Sequence, residues 1–218
     1  PTNLPKAAVL ISNGSSLSKT IVSKRRVAVT GVGCVSPVGL NASQTWEALV
    51  RGESGISSVT RFDATQLPSS IAGEVTGFDP LVYLSSKDLR KMDRFVQLGV
   101  VAGLESFEAA GVDIEAVDPD RVGVLVGAGI GGLETIEATT LTYAEKGHKR
   151  VSPFYIPSSI INMVSGNLSI MTGARGPNLS IVTACTTGTH CIGMAARLIQ
   201  FGDCDVMIAG GTEAAVTP

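Results

Sequence analysis

The stretch Ser180-Ile-Val-Thr-Ala-Cys185-Thr-Thr-Gly-Thr189 governs how the rest of the chain is read. Ser180 to Ala184 is short, apolar and β-branched, the pattern of a buried strand. From Cys185 to about Gln200 the spacing turns helical. A cysteine therefore stands where a strand turns sharply into a helix, the geometry of a nucleophile elbow. Backbone N–H groups left free at that helix start, together with the helix dipole, favour thiolate over thiol, and the thiolate is the attacking species. Gly188, one turn into the helix, leaves room for close approach. On spacing alone two readings stand: a nucleophile, or a small buried residue, the commoner fate of free cysteine.

The flanking sequence repeats the strand-loop-helix unit. Arg121 to Val126 (RVGVLV) reads as a buried strand running into the glycine-rich loop Gly127 to Gly132, with a helix from Leu133 to Ala144 behind it. Asp205 to Gly210 (DVMIAG) makes another strand. Near the start, Arg25 to Cys34 (RRVAVTGVGC) has the same Val-rich character and stops at Ser36-Pro37-Val38-Gly39. A helix then begins at Asn41 or Ser43, whose side chains can cap it, and runs to Gly52. Residues 52–84 mix Gly, Ser, Pro and Asp and predict irregular surface structure. Periodicity predicts one long helix over Ser86 to Ala110, stopped by Gly111, and a second over Pro157 to Thr172. Nearly all-apolar strands alternating with helices imply an α/β fold, its mixed or parallel sheet covered on both faces.

Composition bounds the function. With 218 residues, 44% of them hydrophobic, the chain can bury one large core or two small ones. Twenty-five glycines and 5% aromatics suit a layered α/β protein and argue against a coiled coil or disulfide scaffold. A formal charge of -2 gives no global attraction to nucleic acid or anionic membrane. The four cysteines form no CxxC pair, and the two histidines sit at no zinc-ligand spacing with them, so neither a metal nor a disulfide is expected. With no secretory pattern and no membrane-spanning apolar run, a reducing cytoplasm is the expected compartment, without membrane insertion. Pro1 to Lys24 lacks acidic residues and an initiating Met, and reads as a transit remnant or an extension before a fold that starts at Arg25 and continues to Pro218. Cys34, Cys191 and Cys204 read as packing residues. His148, among Lys146, Lys149 and Arg150, reads as solvated, and His190 is not expected to point back at Cys185 from the same helix.

Gly127-x-Gly129-x-x-Gly132 after a strand invites a dinucleotide-binding reading. That reading needs a second strand ending in an acidic residue about twenty positions on. The chain there reads Gly147-His-Lys-Arg-Val-Ser-Pro153, so the reading fails.

Five stretches carry a resemblance: Arg25-RVAVTGVGCVSPVG-Leu40, Gly127-AGIGG-Leu133, Ser152-PFYIPSSIINMVSG-Asn167, Arg175-GPNLSIVTACTTGTHCIGMAAR-Leu198 and Gly202-DCDVMIAGGTE-Ala214. In order and spacing the chain resembles the elongating β-ketoacyl-[acyl-carrier-protein] synthases. The resemblance implies the N-terminal half of a thiolase-like αβαβα layered fold, the C-terminal half being absent, and a homodimer without cofactor. It also implies fatty-acid elongation, in which Cys185 takes an acyl group from acyl carrier protein and the decarboxylated malonyl carrier protein attacks the thioester. The Cys185 N–H would supply one oxyanion donor. Two histidines, a lysine and the other donor would come from the second half, and neither His148 nor His190 matches them.

Further roles follow by position. Ile130 matches the residue that lines and gates the acyl pocket. Phe154 and Tyr155 fall in the segment that reaches the dimer interface and the neighbouring subunit's pocket, where Tyr155 replaces a frequent Phe. Carrier proteins are acidic, and Lys87, Arg90 and Lys91, at i, i+3, i+4 spacing, place three cations on one predicted helix face. Lys149 and Arg150 form a second cluster. Both clusters match the family's carrier-protein contacts, and a merely solvated charged face is the competing reading. A pocket-shaping, chain-length-factor-like partner is the alternative for the whole chain, but Cys185 argues against it. The half taken alone is expected to be inactive.

Overall fold

The computed structural model describes residues 25–218, so the expectation for Pro1 to Lys24 lies outside the described residues. Helix α1 (Ala42–Val50) begins as expected at Asn41, whose side chain accepts from the Gln44 N–H at 2.8 Å. Within 52–84, largely irregular as expected, β1 (Ile56–Ser58) and β2 (Ile71–Gly73) pair antiparallel. Helices α2 (Ser86–Leu89) and α3 (Arg94–Ala110) follow. Strand β3 (Val122–Gly127), helix α4 (Leu133–Lys146), helices α5 (Tyr155–Ser159) and α6 (Met163–Thr172), strand β4 (Asn178–Leu179), helix α7 (Thr187–Phe201) and strand β5 (Val206–Gly211) complete the chain.

The main sheet is parallel, in the order β4-β3-β5. Side chains alternate across β3. Val122, Val124 and Val126 join Phe95, Val96 and Val100 of α3 and Val164 and Leu168 of α6 in one buried core. The opposite face meets α7: a Cβ on Gly127 would fall on Ile181 and Thr187 atoms and lie 3.2 Å from the Cys191 sulfur. Because α7 connects β4 to β5 on either side of β3, it must cross β3, and glycine lets it do so closely.

Four expectations require correction. Arg25 to Cys34 is not a strand; Val29 and Val32 are 80% and 60% exposed. Arg25 is held by Asp205 instead, and Gly31 and Gly33 lie against the α3 backbone so tightly that a Cβ would strike the Ser106 and Ala102 carbonyl oxygens. The long helix breaks between Leu89 and Arg94, because Asp93 caps a new helix by accepting from the Phe95 N–H. Lys87, Arg90 and Lys91 thus share one short turn and its exit rather than a continuous helix face. The helix expected over Pro157 to Thr172 begins at Tyr155 and is interrupted at Ile160–Asn162. Finally, Ser180 to Ala184 does not extend β4. The Val126 N–H donates to the Ser165 hydroxyl, and the Val126 carbonyl accepts from Ser165 and Ser180, so side chains replace the ladder there.

At the start of β5, Asp205 accepts from both Arg121 and Arg25. The Arg121 hydrogen bonds dominate, and with Arg25 they hold the Asp205 carboxyl down to about 2 against partial desolvation. A depressed carboxyl stabilises the fold fully above its unfolded value, near 3.8, and that contribution is lost as pH falls through the folded value. Urea midpoints should therefore fall between about pH 4 and pH 2 by a smaller margin in Asp205→Asn than in the parent. Equal margins would show that the pair contributes nothing.

Candidate active site

Because the main strands run parallel, the segments after them meet at one edge of the sheet, where α/β folds place ligands. Gly129 and Ile130 follow β3, Ala184 and Cys185 follow β4, and Thr212, Glu213 and Ala215 follow β5. Together with Thr187, Gly188 and Gly211 they line a cavity of about 560 Å³. Cys185 is exposed there.

The turn that presents Cys185 is strained and braced. Ala184 has φ 52, the one non-glycine with positive φ among the described residues; such a backbone costs about 1–3 kcal/mol unless its surroundings enforce it. Thr183 donates its N–H to the Thr187 hydroxyl at 2.9 Å, and its carbonyl accepts from the Thr186 hydroxyl at 2.7 Å. His190 Nδ1 lies 2.7 Å from Thr183 Oγ1. As expected, His190 does not hydrogen-bond to Cys185; it braces the segment two residues before it, at Thr183.

The other thiols occupy different environments. Cys191 and Cys204 are fully buried, and desolvation raises both thiols above the ordinary range. The Cys34 N–H donates to Glu105 at 2.9 Å, tying the loop before α1 to α3.

Of the expected pocket residues, Ile130 shares the cavity with Cys185, whereas Phe154 and Tyr155 do not line it. Those two stand at the start of α5, whose far end accepts the Gly132 N–H through the Ser159 carbonyl at 2.9 Å. Lys91 Nζ lies 5.9 Å from the Phe154 ring centroid, which brings the 87–91 cations beside the segment that follows Lys149 and Arg150. Lys87, Arg90, Lys149 and Arg150 are exposed. Among the described residues none of these five cations is ion-paired.

Sequence reasoning did not single out Glu213 or Asp93. Glu213 accepts from the Ile130 and Gly131 N–H groups at 2.8 and 3.2 Å. Asp93 is buried and bridges α3 to α4, accepting also from the Thr135 N–H at 2.9 Å. A usable signal existed for Glu213, since a residue directly after a strand parallel to that of Cys185 must arrive at the same edge.

Residues 24–218 match the family described as "Beta-ketoacyl synthase, N-terminal domain". The chain belongs to the β-ketoacyl synthase family. It is 53% identical over 197 residues to the 3-oxoacyl-[acyl-carrier-protein] synthase 2 of Vibrio cholerae serotype O1, covering 90% of this chain and 48% of that protein. This ketoacyl-synthase chain thus spans about half the length of such relatives. A β-ketoacyl synthase structure from Burkholderia phymatum superposes with a TM-score of 0.77 at 26% identity, over 88% of this chain and 48% of that one. The AntDE:AntF complex, a type II PKS acyl-carrier protein with its ketosynthase bound to the hexaketide, gives a TM-score of 0.76 at 28% identity, over 89% and 53%. The α/β architecture is accordingly that of the thiolase-like ketosynthases, and the chain corresponds to their N-terminal half.

Proposed function

We propose that this chain is the acyl-accepting half of a chain-elongating 3-oxoacyl-[acyl-carrier-protein] synthase. One observation carries the reading: Cys185 stands exposed on a strained, braced turn at the cavity where the three parallel strands end. The Cys185 sulfur attacks the thioester of an acyl carrier protein, forming a new thioester and releasing the carrier thiol. The Cys185 N–H donates to the oxyanion as negative charge develops. Malonyl carrier protein then loses carbon dioxide, and the resulting carbanion attacks the Cys185 thioester, returning the thiolate and giving a 3-oxoacyl product two carbons longer. The second half of the protein supplies the histidines, the lysine and the second oxyanion donor. No cofactor enters these steps. All four cysteines are unpaired thiols, the state a reducing cytoplasm maintains, and we place the activity there. The test is incubation of the full-length protein with an acyl carrier protein thioester and location of the acyl group by peptide mass spectrometry. The acyl group is expected on Cys185, with Cys191 and Cys204 unmodified.

Two partners follow. A second copy docks along β4, an edge strand among the described residues, where Leu179 within it and Val182 just after it are 47% and 50% exposed; Phe154 and Tyr155 then serve the neighbouring pocket. The acidic carrier protein lands on Lys87, Arg90, Lys91, Lys149 and Arg150. Reversing Lys87 and Lys149 together to Glu should lower kcat/KM for carrier-bound substrate about tenfold at low salt. The same variant should leave acylation by an acyl-pantetheine thioester unchanged. An unaltered salt dependence would assign these cations to solvation alone.

A further inference from the structure

Among the described residues Glu213 is the sole charged side chain in the wall of the Cys185 cavity. Both carboxylate oxygens are engaged by one loop: Oε2 accepts from the Ile130 N–H at 2.8 Å and Oε1 from the Gly131 N–H at 3.2 Å. A Cβ on Gly129 would come within 2.7 Å of Oε2, so the carboxylate packs directly against the backbone of the loop. Gly131 has φ 90, which also favours glycine. A loop with glycine on both sides of Ile130 has little conformational preference of its own, and Ile130, 53% exposed, is not held by packing. Among the described residues the Glu213 carboxylate is the hydrogen-bond partner of the Ile130 and Gly131 N–H groups, while the far end of the loop is held separately by the Gly132 N–H on the Ser159 carbonyl. Glu213 is itself anchored, because the adjacent Thr212 donates its N–H to the Gly127 carbonyl at 3.0 Å and its hydroxyl to the Phe95 carbonyl at 2.8 Å.

We propose that Glu213 is a positioning residue that sets acyl-chain selectivity, acting through Ile130. Its carboxylate fixes the Gly129–Gly132 loop so that Ile130 limits how much hydrocarbon the cavity beside Cys185 admits. This rests on Cys185 as the acyl acceptor and Ile130 as a pocket residue. Glutamine at 213 keeps the size but replaces one acceptor oxygen with an N–H donor facing a backbone N–H, freeing one side of the loop. Aspartate keeps the charge but is too short to bridge both groups.

The experiment compares Cys185 thioester formation in the full-length protein with hexanoyl and palmitoyl carrier protein, followed by intact mass. Glu213→Gln and Glu213→Asp should each raise the palmitoyl-to-hexanoyl rate ratio about tenfold. In an Ile130→Ala background the same substitutions should leave the ratio unchanged, since the residue they act through is gone. If Glu213→Gln does not fold, Glu213→Asp carries the comparison. An unchanged ratio in wild-type background, or an equal shift with and without Ile130, overturns the assignment. Failure of the wild-type protein to acylate Cys185 would instead overturn the underlying function.

Discussion

Cys185→Ala is expected to leave the full-length protein folded yet unable to hold an acyl group, with condensation reduced by a factor on the order of 10⁴ or more. Folding should survive because Cys185 is exposed and Ala184, its neighbour, already carries the unusual backbone. Activity should not survive, because no other thiol can substitute. Cys191 sits within α7, buried against Gly127, Cys204 is buried at the approach to β5, and Cys34 lies on the loop before α1, tied to Glu105 of α3 and outside the cavity lining. Desolvation raises both buried thiols, which leaves less thiolate to attack. The converse variant, Cys191→Ala, should lose roughly 1 kcal/mol of stability to a small cavity while still taking the acyl group. Intact mass and urea unfolding of both variants separate chemistry from packing. Persistence of the thioester in Cys185→Ala would end the nucleophile assignment. A wild-type protein that never acylates would favour the pocket-shaping partner.

Legibility of the fold from sequence followed the range of the forces involved. Val122 to Gly127 was readable because nearly every residue in it is apolar and the strand is covered on both faces. Arg25 to Cys34 has the same local pattern and fails as a strand, since pairing needs a neighbouring edge and no periodicity reports one. Gly31 and Gly33 seat that segment on α3 instead. The break before α3 was hidden because apolar positions run through it, with Leu89 and Met92 both packing inward. Its cause is one side chain, Asp93, whose hydrogen bonds reach Phe95 and the distant Thr135.

The site divides along the same line. Cys185 announced itself through a local change in sequence pattern, from a β-branched run to helical spacing, although the run before it does not pair as a strand. Ile130 gained its expected role from resemblance alone, and it lines the same cavity as Cys185. Glu213 stayed silent because its partners, Ile130 and Gly131, are 83 and 82 residues away. Only the parallel order of the sheet brings them together.

That order makes Gly211→Val the most informative structural variant. A Cβ on Gly211 would lie 2.8 Å from the Gly188 Cα and 2.9 Å from its nitrogen, so β5 and the first turn of α7 touch backbone to backbone. No side-chain rotation can relieve this contact. Valine must push the α7 start away from the sheet, at a cost of about 1–3 kcal/mol or more. Cys185 immediately precedes that turn and moves with it. A displacement of about 1 Å in a reacting group can cost on the order of 10²-fold in rate, so acylation should fall far more than the fraction unfolded accounts for. Gly33→Ala supplies the comparison, because its Cβ would strike the Ala102 carbonyl of α3, away from the cavity. It should lower the urea midpoint comparably while acylation by the folded fraction stays near wild type. Equal loss of acylation in both variants would mean that the Gly188–Gly211 contact maintains the fold without specifically placing the thiol.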